Sequence, residues 1–155
     1  MHDFFELQPV KEAAVYFMRV VLHDWPDEDT IKILKNTRAA AGPSSKLIVF
    51  DICIQPTCPD TEYSRYIDDY KPVPYPLLAN YGMARGAFDT FVDMQVCVSR
   101  FISKNLGLTE LLQMMCLLGG QERTVRQCVE LGNASGWKLE SVKLTLPATF
   151  IFSPV

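Results

Sequence analysis

The first fifty residues show apolar runs separated by one amphipathic segment. Residues 13–22 form a short, nearly continuous apolar run, whose β-branched and aromatic content favours a strand buried on both faces over a helix. Pro26 is followed by three consecutive acids, which predicts a helix start because carboxylates favour the positive end of a helix dipole. Gly42 and Pro43 end this predicted helix, and residues 46–51 predict a second buried strand that closes on an acid.

The strand–helix–strand order predicts two parallel strands joined by a right-handed crossover. In open α/β sheets the ligand site lies at the carboxyl ends of the strands, and both His23 and Asp51 stand at such ends. A histidine in that position can titrate near neutral pH, as a general base must. The alternative interpretation is that His23 caps the acidic helix that follows it.

The rest of the chain extends this α/β pattern. Residues 53–80 are rich in Pro, Asp and Tyr without clean periodicity, which predicts an irregular lid. The chain turns helical and apolar from about Phe88, and residues 124–134 predict a further helix with Gly136 as its C-cap. Residues 137–152 alternate as two strands, which predicts an antiparallel hairpin at the sheet edge. The predicted fold class is therefore α/β, one domain with a mostly parallel sheet and a C-terminal antiparallel hairpin.

Composition and charge exclude several classes of function. The 155 residues carry 15 basic and 18 acidic side chains, a net charge of −3, which argues against nucleic acid as a partner. No apolar run approaches the roughly 18–20 residues that span a bilayer, so no membrane partner is expected. The five cysteines fit no zinc spacing and no other metal-ligand cluster is visible, so no metal is expected. Reduced thiols and the lack of a secretion signal predict a cytoplasmic protein.

Several short motifs occur in one fixed order. The stretch LHDWPDEDTIKILKN spans residues 22–36, and GGQERT spans residues 119–124. Together with Asp3 and the acid that ends the second strand, they resemble the C-terminal half of the S-adenosylmethionine-dependent small-molecule O-methyltransferases, the caffeate- and flavonoid-type enzymes of plants and their fungal relatives. The resemblance covers nearly the whole chain. It implies a partial Rossmann-like methyltransferase fold, S-adenosyl-L-methionine as cofactor, and a small phenolic or related hydroxyl compound as substrate.

The resemblance implies roles for three side chains in the chemistry. In this family the His of the His-Asp-Trp motif is the general base that takes the proton from the acceptor hydroxyl, and here it matches His23. An acid at the end of the next strand and the Glu of the Gly-Gly-x-Glu-Arg-Thr segment orient that His, and they match Asp51 and Glu122. Plant members more often have Glu where Asp51 stands. This chemistry requires no metal.

Three further residues match the family's cofactor contacts. An Asp and the apolar residue after it touch the adenine side of the cofactor, and they match Asp3 and Phe4. The basic residue four before the His contacts the methionine end, and it matches Arg19, where plant enzymes have Lys. These three residues alone would form half a site, because the family's glycine-rich loop has no counterpart among the eight glycines.

The sequence departs from the family in two further respects. Family members form homodimers through an N-terminal helical domain that these 155 residues do not contain, and without the family's first strands the sheet is expected to have an exposed apolar edge. Residues 96–113 look inserted, either as a retained intron read through in frame or as a genuine helical insertion. The alternative to an active enzyme is therefore a truncated, inactive remnant that cannot hold cofactor. An unrelated α/β nucleotide-binding module is a third hypothesis.

Overall fold

The structure is a computed structural model that describes most of the chain, namely residues 2–56, 58, 60–77, 120–145 and 147–155. The helix predicted from about Phe88 and the insertion predicted at 96–113 lie outside the described residues, as do residues 78–80 of the predicted lid. The described ranges contain six strands and two α-helices.

The strand–helix–strand unit predicted for the first fifty residues is present. Strand β1 spans Val15–Arg19, helix α1 spans Asp27–Ala40 and strand β2 spans Lys46–Asp51. Pro26 is the N-cap of α1, and the three acids lie in its first turn, where they complement the helix dipole. Strands β1 and β2 pair in parallel along their length, so their carboxyl ends meet at one edge of the sheet.

The C-terminal strands complete a mixed sheet. Strand β5 (Trp137–Lys143) and strand β6 (Ala148–Pro154) form the predicted antiparallel hairpin. Strand β6 also pairs antiparallel with β2, which gives the order β1–β2–β6–β5 and places β5 at the sheet edge. A second small sheet joins β3 (Cys53–Ile54) to β4 (Arg123–Thr124) in parallel. Two of the four strand pairings in the described ranges are therefore parallel and two are antiparallel.

The core lies between the sheet and two helices. Helix α2 (Val125–Ser135) packs against α1 and against β5. Trp137 is fully buried there, and its indole N–H donates to the carbonyl of Leu34 at 3.0 Å. Helix α2 ends at Gly136, whose φ of +81° confirms the predicted glycine C-cap. Neither of the two described helices combines the length and the apolar character needed to cross a membrane.

Strand β1 differs from its prediction. Burial on both faces was expected, but Val15 is 50% exposed and Phe17 is 61% exposed, whereas Tyr16 between them is buried. The reason is position, because β1 is the last strand in the sheet order and the described residues cover only one of its faces. Apolar side chains are therefore exposed on the strand that ends the described sheet.

The segment after β3 has little regular structure among its described residues, which contain one 3-10 turn at Ser64–Tyr66. Its first part is held against helix α2 by Arg126, whose guanidinium pairs with Asp60 at 3.1 Å and lies 4.4 Å from the centre of the Tyr63 ring. The N–H of Asp68 donates to a carbonyl of β5 at 2.8 Å. This segment therefore packs along α2 and β5.

The packing of α1 can be tested with two isoleucines. Ile33 is fully buried, whereas Ile31 is only partly buried. We expect Ile33→Ala to lower the free energy of unfolding by about 2–5 kcal/mol, because it removes buried methyl groups and leaves a cavity. Ile31→Ala is the matched control and should cost clearly less. Urea unfolding followed by circular dichroism measures both, and equal losses would contradict this packing.

Candidate active site

His23 lies on a one-turn 3-10 helix, Leu22–Asp24, that follows strand β1. Val20 leaves the strand with a φ of +53°, a left-handed conformation that is strained for a β-branched residue. The N–H of Val20 donates to the carbonyl of Phe50 on β2 at 2.9 Å, which holds this bend against the sheet. The His23 side chain that follows the bend is buried, and the residue is 8% exposed.

Two buried carboxylates face the ring of His23. Asp51 ends β2, and its Oδ2 accepts a hydrogen bond from the backbone N–H of His23 at 3.2 Å, while its Oδ1 lies 3.6 Å from the ring Nδ1. Glu122 directly precedes β4, and its Oε1 lies 3.1 Å from the same Nδ1. Both acids are buried. The structure thus brings together His23, to which the family resemblance assigns proton transfer, and the two acids to which it assigns the orientation of His23.

These surroundings raise the pKa of His23 above its usual value. Burial is the largest single influence, and it acts to lower the pKa because it penalises the charged ring. The hydrogen bond to Glu122 acts in the opposite direction, as do the negative charges of Asp51, Glu122 and Asp24, and together they outweigh burial. The site therefore stabilises an imidazolium.

The pKa of the Asp51 carboxyl is also raised. Burial is the main cause, because it disfavours the carboxylate more than the partners of Asp51 favour it. Those partners include the His23 ring and the backbone N–H groups of Ile52 and His23. A carboxylate held out of water is stabilised most when a positively charged ring forms beside it. The charge states of Asp51 and His23 are therefore coupled.

The contacts of Nδ1 decide which nitrogen of His23 can accept a proton. In the neutral ring, two carboxylate oxygens near Nδ1 against one near Nε2 favour the tautomer with the proton on Nδ1, which donates to Glu122 and leaves the lone pair on Nε2. Nε2 lies 3.3 Å from Oδ1 of Asp24, whose side chain is 28% exposed. The ring can therefore accept a proton at Nε2, on the side that faces the more exposed carboxylate.

The same three side chains also form a donor set that could hold a metal ion. One ligand atom from each of His23, Asp51 and Glu122 lies within 4.8 Å of the other two. Imidazole and carboxylate ligands suit divalent metals such as zinc. Because these distances fit both proton transfer and metal binding, sensitivity to a chelator is the observation that separates the two chemistries.

Two of the residues matched to cofactor contacts line one groove. Phe4 and Arg19 contribute to a groove of about 420 Å³ beside β1 and α1. Phe4 is 38% exposed, and its ring packs edge-on against Trp25 with the centroids 5.9 Å apart. The guanidinium of Arg19 lies 6.0 Å from the centre of the Phe50 ring. An exposed aromatic ring and a cation in one groove fit an adenine ring and a carboxylate, the two ends of the expected cofactor.

Asp3 is placed differently from Phe4 and Arg19, because the residues that line the groove do not include it. Its Oδ1 accepts a hydrogen bond from the N–H of Phe5 at 2.9 Å, and its carbonyl accepts one from the N–H of Glu6. Asp3 therefore shapes the turn that carries Phe4.

Sequence reasoning missed two residues of the GGQERT segment that contact the His23 turn. Arg123 is 4% exposed and donates to the carbonyls of Leu22 at 2.6 Å and Trp25 at 2.7 Å. Gly120 approaches so closely that a Cβ there would lie 2.2 Å from the carbonyl oxygen of His23. The GGQERT motif was the signal that could have identified both residues, but only its Glu was given a role.

Known proteins match this chain in sequence and in structure. The family model described as an O-methyltransferase domain matches residues 2–89. An O-methyltransferase of Armillaria gallica is 38% identical over 145 residues, which make up 91% of this chain and 26% of that protein. The solved structure of mitomycin 7-O-methyltransferase MmcR is 25% identical, with a TM-score of 0.59, and the match covers 99% of this chain and 33% of that one. A variant of LepI, solved in complex with SAH and a substrate analogue, is 25% identical with a TM-score of 0.61 over 99% of this chain and 29% of that one.

These matches agree on one assignment. The chain spans about a quarter to a third of the length of the relatives named here. The structural matches support the methyltransferase form of the Rossmann-like fold. The family match covers more than half of the chain and includes the His23 turn and Asp51. On this evidence of sequence and fold, the chain belongs to the O-methyltransferase domain family.

Proposed function

We propose that this chain carries the proton-accepting site of an O-methyltransferase that moves a methyl group from S-adenosyl-L-methionine to a hydroxyl of a small aromatic metabolite. The observation that carries this proposal is the buried His23 ring, whose Nδ1 faces Asp51 at 3.6 Å and Glu122 at 3.1 Å. Membership of the family supports methyl transfer to oxygen, the reaction that the names of the Armillaria protein and MmcR state for those proteins.

In this proposal, His23 accepts the proton of the acceptor hydroxyl at Nε2. A phenol with a pKa of about 10 is a poor nucleophile at pH 7, and a histidine can remove its proton as attack develops. Asp51 and Glu122 keep the opposite ring nitrogen protonated and stabilise the imidazolium, as the aspartate of a catalytic triad does. The raised pKa of His23 is consistent with that stabilisation.

The groove beside β1 supports a place for the cofactor. Arg19 would bind the carboxylate of the methionine part, Phe4 would contact the adenine ring, and Asp3 would hold the turn that carries Phe4. The similar LepI structure contains SAH, which supports this class of cofactor. When bound, S-adenosyl-L-methionine supplies an electrophilic methyl group. The residues of the chain would then hold the acceptor hydroxyl beside His23 and oriented toward that methyl group, and such orientation contributes much of the acceleration.

His23→Gln tests the proposed base. We expect turnover of phenolic acceptors to fall by about 10²–10⁴-fold, the usual contribution of a general base, while binding of S-adenosyl-L-methionine is retained. The assay uses the 155-residue chain and a chimaera in which this chain replaces the matching segment of the Armillaria gallica enzyme. Lys138→Gln is the control, because Lys138 is exposed on the edge strand β5.

The outcomes of this experiment separate the hypotheses. Unchanged turnover in His23→Gln would refute the assignment of the base. A 155-residue chain that binds no cofactor, together with a chimaera that methylates no acceptor, would favour the inactive remnant. Loss of wild-type turnover on addition of EDTA would favour a metal held by His23, Asp51 and Glu122.

Glu122→Gln should lower the pKa of His23. The substitution removes a negative charge and weakens the hydrogen bond, both of which raise that pKa. Because the sequence has two histidines, the ¹³C-labelled rings of His2 and His23 can be followed separately by NMR across the pH range. Glu130→Gln is the matched control, since Glu130 is exposed on α2. A His23 pKa that does not respond to Glu122→Gln would contradict the described contact.

The raised pKa of His23 also predicts how stability depends on pH. The folded chain binds the His23 proton more tightly than the unfolded chain, whose histidine pKa is about 6.5. This stabilisation is fully present below about pH 6.5 and is lost as the pH rises through the folded-state pKa. Urea unfolding at several pH values should show that loss in the wild type and a smaller loss in Glu122→Gln. A wild-type free energy of unfolding that rises over this window would be inconsistent with the raised pKa.

A further inference from the structure

We infer that Arg123 is a positioning residue, which fixes the His23 turn relative to Asp51 and Glu122. The inference rests on the proposed function of His23 and goes beyond it, because it gives a role to a side chain that bonds both the backbone of that turn and the start of helix α1. Arg123 directly follows Glu122. One short segment would therefore supply both a partner of the imidazole and an anchor for the backbone that carries it.

The guanidinium of Arg123 spans the turn that carries His23. Its Nη1 donates to the carbonyl of Leu22 at 2.6 Å, and its Nη2 donates to the carbonyl of Trp25 at 2.7 Å. The first carbonyl immediately precedes His23, and the second lies two residues after it. Because both bonds come from one planar group, they fix the separation between the two ends of the turn.

The same guanidinium ties the turn to the start of helix α1. Nε and Nη2 donate to Oδ1 of Asp27 at 3.0 and 2.8 Å, and Nη2 lies 3.2 Å from the hydroxyl of Thr30. Arg123 is buried, whereas the Asp27 side chain is 52% exposed. A buried cation with a half-exposed carboxylate partner is costly unless its remaining N–H groups are also bonded. The two turn carbonyls meet that requirement, so the turn and the guanidinium hold each other in place.

Strand pairing fixes the backbone position of Arg123, from which its guanidinium reaches the His23 turn. Arg123 lies opposite Cys53 in the parallel β3–β4 pair, and Cys53 follows Asp51 by two residues. The contact of Gly120 adds a second constraint, because a Cβ there would lie 2.2 Å from the carbonyl oxygen of His23. Residues 120–124 thus hold two groups in place. Gly120 packs against the His23 turn, and Arg123 pairs with the strand that follows Asp51.

Positioning and charge make different predictions for one conservative substitution. Arg123→Lys keeps the positive charge, but a lysine ammonium is a single point and cannot span both turn carbonyls and Asp27 as the fork does. A base displaced by about 1 Å can cost about a hundredfold in rate. A role in positioning therefore predicts that lysine does not restore function, whereas a role in charge predicts that it does.

The test follows the His23 ring by ¹³C NMR in the full chain. In Arg123→Lys we expect the His23 pKa to fall toward its ordinary value, because a loosened turn weakens the ring's contacts with Glu122, Asp51 and Asp24, the charged groups that face it. In the chimaera, kcat should fall by about tenfold to a hundredfold with little change in KM for either substrate.

Arg38→Lys is the matched control. Arg38 also bridges two backbone carbonyls, those of Gly136 at 3.0 Å and Val155 at 2.9 Å, but it makes none of its described hydrogen bonds to the His23 turn. It should lose a comparable bridge between two backbone carbonyls and leave the His23 pKa and kcat unchanged. A His23 pKa that Arg123→Lys leaves unchanged, or that both variants change equally, would overturn the inference.

A second variant decides the matter if Arg123→Lys does not fold. Asp27→Asn removes the charged partner that the Arg123 guanidinium has on its solvent-exposed side. Glu28→Gln is the control, because it removes an acid from the same helical turn. A lower His23 pKa in Asp27→Asn alone supports the inference, and an unchanged pKa overturns it. The proposed function fails separately, if His23→Gln retains turnover, whatever the Arg123 variants do to the ring.

Discussion

The buried contact between the His23 ring and two carboxylates is the interaction on which the rest of the site depends. Carboxylates removed from water lose their hydration, and they remain charged only where a donor or a cation faces them. The ring Nδ1–H of His23 supplies a donor to Glu122 at 3.1 Å, and the backbone N–H of the same residue supplies one to Asp51. One residue therefore serves both acids, and any shift of its turn would weaken both contacts at once.

Two parallel strand pairs bring these groups together from distant parts of the sequence. The β1–β2 pair places His23 and Asp51 near adjacent strand ends, while Glu122 is 99 residues from His23 along the chain. The two ends of a connection of that length stay together only where contacts between them offset the entropy of closing it. The short β3–β4 pairing and the buried guanidinium of Arg123 are such contacts. The segment that delivers Glu122 thus also anchors the turn that Glu122 must meet.

Local signals made the elements predictable, whereas contacts distant in sequence were not. Pro26 with the acids after it marks the start of α1, and Gly136 marks the end of α2. The burial of β1 was mispredicted because its sequence is as apolar as that of a central strand, and only its place at the sheet edge leaves Phe17 exposed. The side chains that meet around His23 could be chosen because short motifs carry them. Arg123 stands in the same motif as Glu122, but its contact with the turn could not be predicted, because the turn carbonyls that it bonds are 101 and 98 residues away.

The position of the His23 ring and the groove beside β1 depend on different contacts. The position of the His23 ring is set by groups on β2, on α1 and around β4, all within the described part of the chain. The groove that Phe4 and Arg19 line lies instead along the exposed side of β1. The chain between Arg19 and His23 passes through Val20, whose φ of +53° is strained for its side chain. Because Val21 also lines the groove and lies between this bend and His23, a ligand in the groove would contact the backbone two residues before the imidazole.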